Sequence, residues 1–143
     1  MDETLEAHRR TVRRIYEDSL NGGDLAALGE LVDQDYVGIA GERGPEGFAE
    51  TVRLLRTAFP DIRYTIDDLI AEGDRVAVRW TWEGTHLGAF RVFPPSGRRL
   101  RNTGIAIYRL RGGRVMQAWL ESDRLGFLQG IGAVPPTPPP VGR

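Results

Sequence analysis

At 143 residues the chain has the size of one domain, and its 41% hydrophobic and 27% charged residues are globular rather than disordered proportions. Nineteen basic against twenty acidic residues give a net charge of −1, which lends no support to bulk nucleic-acid binding. All the basic residues are arginine and there is no cysteine, so lysine Schiff bases, thiolate catalysis, disulfides and thiolate metal sites are excluded.

Leu5, Val12, Ile15, Tyr16 and Leu20 recur at helical spacing and predict a first amphipathic helix. Asn21-Gly22-Gly23 stops it, and Asp24 can cap a second, short helix carrying Leu25, Leu28, Leu31 and Val32. Tyr36 to Ala40 reads as a short strand. Gly44-Pro45 opens a third helix, lined by Phe48, Val52, Leu55 and Phe59 and ended by Pro60. Beyond Pro60 the hydrophobic period changes to two. Strands are predicted over 62–71, 75–85, 100–110 and 114–123, with hairpin turns at Gly73-Asp74 and Gly112-Gly113. Gly88 to Arg99 is a loop, Arg124 to Ile131 a last helical turn or two, and residues 133–143 hold five of the nine prolines and form a flexible tail that is dispensable from Pro135 to Arg143. Helices followed by an antiparallel meander predict a single α+β domain over residues 1–132, with the helices on one face of a curved sheet.

No run of about 18 apolar residues could cross a membrane. The charged N-terminal decapeptide lacks the apolar core of a signal peptide, so a cytoplasmic protein is expected. His8 and His86 lie far apart, and no metal is expected. Dinucleotide fingerprint, P-loop and nucleophile elbow are all missing, which leaves carboxylate acid–base chemistry that needs no cofactor.

With strict alternation, Val115, Gln117, Trp119, Glu121 and Asp123 share one face of the last strand, and that mixed face suits a ligand cavity. Trp119 and Asp123 stand about 13 Å apart along a strand and could bracket a flat, multi-ring molecule. Asp123 could equally cap the helical turn that follows it. Trp80 and Trp82 share a face of the second long strand, either as core or as an aromatic wall. His86 at the end of that strand and Tyr16 on the first helix are further candidates for substrate contact, and Asn102, Thr103 and Tyr108 on the next strand are candidate orienting hydrogen bonders.

Five pieces then occur in a fixed order: Gly84-Thr-His-Leu-Gly88, Phe93-Pro-Pro-Ser-Gly97, Gly104-Ile-Ala-Ile-Tyr-Arg109, Gly113-Arg-Val-Met-Gln-Ala-Trp119 and Asp123-Arg-Leu-Gly-Phe-Leu-Gln-Gly-Ile-Gly132. This ordered set resembles the SnoaL-like polyketide cyclases, or ester cyclases, of the nuclear-transport-factor-two-like superfamily. The resemblance implies a cone-shaped antiparallel sheet with helices over an internal cavity, and a homodimer formed through the sheet. It also implies an intramolecular aldol ring closure with Asp123 as the acid–base residue. Gln117, Ala118 and Gly130 stand where the family commonly has glutamate, histidine and glutamine.

The expected function is a cofactor-independent cyclase acting on a hydrophobic or polycyclic small molecule, with neither nucleic acid nor membrane as partner. Asp123 would be a desolvated general base, Trp80, Trp82 and Trp119 walls, and His86 or Asn102 an oxygen-polarising group. One alternative is another small-molecule enzyme on this fold: an isomerase, a hydroxylase-like protein, or an epoxide hydrolase using Asp123, Arg79 and a second acid, Glu83 or Glu121. The other is a non-catalytic, ligand-binding dimer.

Overall fold

The computed structural model describes residues 2–138; residues 139–143 of the expected tail lie outside the described residues. The first helix is α-helical over Asp2–Arg14 (α1) and continues as π-helix over Ile15–Asn21. Its apolar stripe buries Val12, Ile15, Tyr16 and Leu20. It ends where Gly23 takes a positive φ of 74°. Asp24 then accepts the Ala27 N–H at 3.1 Å, ahead of the four-residue helix Leu28–Leu31 (α2).

The next strand, Val32–Val37 (β1), starts four residues earlier than its sequence suggests. Val32 is fully buried opposite Val115, and this pairing fixes the register. The residues after Val37 make a turn, with the Gly38 N–H on the Glu42 carbonyl at 2.8 Å. Helix Gly44–Ala58 (α3) carries proline in its first turn, as expected.

Four long strands follow: Arg63–Glu72 (β2), Arg75–Thr85 (β3), Arg99–Arg111 (β4) and Arg114–Ser122 (β5). Helix Arg124–Gly130 (α4) ends the domain. The sheet order is β1-β5-β4-β3-β2. The antiparallel meander runs from β2 to β5, and β1 adds a parallel edge to β5.

One face of the sheet is covered by the helices. Val76, Val78, Trp80 and Trp82 of β3 and Leu100, Asn102, Ala106, Tyr108 and Leu110 of β4 lie buried there. One polar clamp ties the helical layer to the sheet and another ties two of its helices together. The Asn21 side chain bonds both backbone groups of Tyr64, at 2.9 and 2.6 Å. Arg56 donates to the Leu20 and Asn21 carbonyls, both at 2.8 Å, satisfying oxygens that the end of the first helix leaves open.

In β5 strict alternation fails. Arg109 stands opposite Gln117 but Leu110 opposite Val115, so Met116 is an extra residue, a β-bulge. Val115 therefore points into the core, while Ala118 and Leu120 take the inner face beyond the bulge. Trp119, expected as a cavity wall, is turned to the outer face instead. It is 40% exposed, opposite Ile107, with the Arg75 guanidinium 5.1 Å over its ring. No helix among the described residues is long and apolar enough to cross a membrane.

Candidate active site

Between the helical layer and the sheet lies a cavity of about 120 Å³. Tyr16 and Leu20 from the π-helical turns, Tyr36 from β1, Phe48, Thr51 and Leu55 from α3, Tyr64 from β2, Trp80 from β3, Ala106 and Tyr108 from β4, and Ala118 and Leu120 from β5 line it. Ile39 and Glu42 stand at its rim, where Ile39 is 55% exposed. The π-helical segment sits directly over this space, and such widened turns often occur at functional sites. Tyr16 and Leu20, four residues apart, both reach the cavity from it.

The lining is aromatic and poor in charge. Tyr64 meets the Trp80 ring edge-on at 5.1 Å and the Tyr16 ring at 5.3 Å. The Tyr16 and Tyr108 hydroxyls share one hydrogen bond of 2.7 Å. Trp80 Nε1 is buried without a partner. Gly104, opposite Trp80 in the ladder, leaves the room its indole needs: a Cβ there would fall 2.5 Å from the ring. Burial raises all four phenols above their ordinary values. Tyr108, to which Tyr16 can donate, is pushed up to about 12, Tyr36 and Tyr64 go higher, and Tyr16 is raised well above its ordinary value.

Glu42 is the one carboxylate of the lining, and no arginine joins it. Its Oε1 accepts the Ala40 N–H at 2.7 Å, and its Oε2 accepts the Thr51 hydroxyl at 3.4 Å. It sits in a turn with no period to read, so nothing in its sequence context singles it out. Tyr36 and Tyr64 were hidden for another reason: each reads as an ordinary inward-facing residue of its strand.

The sequence-predicted residues divide between three places. Tyr16, Trp80 and Tyr108 line the cavity. Trp82 and His86 belong to an aromatic core beside it, where Phe59 packs on Trp82 at 4.8 Å and stacks on His86 at 5.2 Å. His86 Nδ1 accepts the Ser96 N–H at 3.1 Å, which leaves the ring proton on Nε2, and burial lowers its pKa. Asn102 is also buried and donates to the Asp123 carbonyl at 3.1 Å.

Asp123 itself caps α4, its Oδ1 accepting the Gly126 N–H at 2.8 Å. It is exposed, not desolvated, and does not line the aromatic cavity. With Arg79, Thr103, Gly104, Ile105, Glu121 and Ser122 it lines an open depression of about 410 Å³. Arg79 and Glu121, the partners an epoxide hydrolase would need, are thus close to Asp123. The Arg79 guanidinium, however, is held by Asp68 at 2.7 Å in a half-exposed ion pair, where solvent weakens its field. Among the described residues no cluster of His, Asp or Glu could hold a metal ion.

The model of the SnoaL-like polyketide cyclase family matches residues 10–131. The aklanonic acid methyl ester cyclase DnrD of Streptomyces peucetius is 28% identical over 134 residues, covering 89% of this chain and 92% of that protein. Among solved structures, TsrD of Streptomyces laurentii superposes with a TM-score of 0.80 at 33% identity, covering 88% of this chain and 98% of TsrD. IdmH of Streptomyces antibioticus gives 0.74 at 33% identity, covering 87% and 98%.

Proposed function

The chain belongs to the SnoaL-like polyketide cyclase family, and from that premise we propose that it closes a ring of a polyketide ester by an intramolecular aldol reaction, without a cofactor. The observation that carries this proposal is the cavity: aromatic, nearly free of charge, and built from every layer of the fold. A space of about 120 Å³ is close to what one aromatic ring occupies. A larger substrate would leave its remaining rings at the rim, against Ile39 and Leu120. With no arginine in the lining, an uncharged ester is accepted more readily than a carboxylate. The named activity of DnrD, on a methyl ester, is in keeping with this.

In the reaction a carboxylate removes a proton from a carbon flanked by two carbonyls. The enolate carbon attacks a carbonyl carbon of the same molecule, and the new alkoxide takes a proton back. Holding the chain folded for that attack can be worth several kcal/mol. Asp123 is the acid–base residue to which the family resemblance points. In a monomer its carboxylate is solvated. The proposed homodimer, formed through the outer face that exposes Ile70, Ile105, Ile107 and Trp119, would cover the depression that holds it. A second assignment, Glu42, is favoured by a specific observation: it is the carboxylate that lines the aromatic cavity.

The test is turnover of polyketide keto-esters, aklanonic acid methyl ester among them, by the purified protein alone. Ring closure by aldol addition gives a product of unchanged mass with a changed absorption spectrum. Saturable binding of these esters with no isomerised product would instead identify a ligand-binding protein.

A further inference from the structure

The Tyr16 and Tyr108 hydroxyls share a single hydrogen bond. Two hydroxyls carry two protons, so one O–H of the pair remains unspent. Trp80 Nε1–H, in the same cavity, is buried and has no partner either. A buried donor without an acceptor is costly, and native proteins seldom keep one without a use for it. Beside the Tyr36 and Tyr64 hydroxyls, the cavity therefore holds these two donors, no cation among its described lining residues, and an acid only at its rim.

We propose that the free O–H of the Tyr16–Tyr108 pair and Trp80 Nε1–H form a subsite for one uncharged carbonyl oxygen of a ring held in the cavity. This deepens the cyclase proposal and rests on it for the identity of the natural ligand. Each donor would strengthen as the oxygen gains negative charge in an enolate, because charge-assisted hydrogen bonds are stronger than neutral ones. Tyr16 donating to Tyr108 leaves the Tyr108 O–H for the ligand. Trp80 is held in place from behind by Gly104, where any side chain would displace the indole. Cationic ligands and carboxylates alike are disfavoured because no opposite charge in the inner cavity would compensate their desolvation.

The experiment uses two probes of the same skeleton, 1-tetralone with one carbonyl acceptor and tetralin with none, titrated calorimetrically into the full chain. Tyr108→Phe and Trp80→Phe should each weaken 1-tetralone roughly 3- to 10-fold, the worth of one net hydrogen bond, and leave tetralin unchanged. Tyr16→Phe, which keeps a Tyr108 O–H, should lose less. The infrared carbonyl band of bound 1-tetralone should lie below its position in hydrocarbon solvent and move back up in Tyr108→Phe. The thermal midpoints of the variants are measured alongside, and whichever of the two donor variants retains its fold carries the comparison. Equal weakening of both probes, a carbonyl band at its hydrocarbon position, or uptake of neither probe by the wild type would overturn the subsite. Neither probe can cyclise. A protein that passes this test and turns over no polyketide loses the cyclase proposal alone, and one that cyclises but fails it loses the donor pair alone.

Discussion

The two faces of the sheet use the same four strands for opposite chemistry. On β3, Trp80 points inward to a cavity while its neighbour Arg79 points outward to Asp68. On β4, Ala106 and Tyr108 face inward, and Ile105 and Ile107 are exposed on the other side. The inner face concentrates phenols, an indole and little charge, so a proton taken or given there meets a low dielectric and fixed donors. The outer face carries ion pairs, open apolar patches and the Asp123 depression, all in contact with water. A family resemblance selects the acid of one face, and the geometry of the cavity selects an acid at the rim of the other. The same carboxylate chemistry thus has two addresses in one small domain, and the environment of each decides how strong a base it can be.

The largest expected effect separates them. Removing a general base costs about 10² to 10⁴ in turnover. If Glu42 is the base, Glu42→Gln shows that loss in kcat while Asp123→Asn changes little, because asparagine caps a helix about as well as aspartate. If Asp123 is the base, the two results exchange. Turnover of both variants within a factor of a few of wild type would remove both acids from the mechanism.

The outer face has its own test. Ile107→Glu puts a charge in the middle of the exposed apolar patch and should leave a species of 15.9 kDa in light scattering where the wild type has twice that mass. A wild type that is already monomeric at micromolar concentration would end the dimer proposal. If the depression needs the partner to exclude water, the monomeric variant should also lose any turnover that depends on Asp123 and keep any that depends on Glu42.

A smaller effect probes the inner face through pH. Tyr16, Tyr36, Tyr64 and Tyr108 all titrate higher in the folded chain than their ordinary value of 10.0. An unfolded phenol gives up its proton first. The stability from each group is therefore complete below about pH 10 and is lost as pH rises toward its folded value, at about 1.4 kcal/mol per pH unit for each phenol. Denaturant midpoints should fall between about pH 10 and 11, and less steeply in Tyr64→Phe. A flat profile over that range would mean that the phenols are not buried as described.

How much of this was readable from the residues depends on where alternation holds. On β3 it holds throughout, so Trp80 and Trp82 were correctly placed on one face. Even there, alternation could not tell the cavity neighbour from the core neighbour, since that depends on which helix lies above. On β5 one extra residue, Met116, reverses the parity, and with it Trp119 moved from a predicted wall to solvent. A bulge has no signature in hydrophobic period, because either side of it alternates normally. Glu42 was out of reach for another reason. It enters the site through a turn whose position is set by the pairing of β1 with β5, and a parallel pairing across some eighty residues leaves no local trace. The capping role of Asp123, by contrast, was legible, because N-capping depends only on neighbours in the chain.

The smallest effect concerns the tail. Gln129 Nε2 donates to the Pro135 carbonyl at 3.2 Å and to the Thr137 hydroxyl at 2.9 Å, both in exposed surroundings. The Ala133 and Val134 N–H groups bond the Leu128 carbonyl and finish α4. Truncation after Val134 keeps those two bonds and, among the described residues, loses the exposed pair, which should cost no more than about 0.5 kcal/mol, a degree or two in melting temperature. Turnover should not change, since no described residue beyond Leu120 lines the aromatic cavity. Gln129→Ala in the full chain removes the same two bonds and should reproduce the same small shift. A loss of many degrees on truncation but not in Gln129→Ala would show that the tail makes further contacts, and a loss of turnover without a loss of stability would bring it to the mouth of the site.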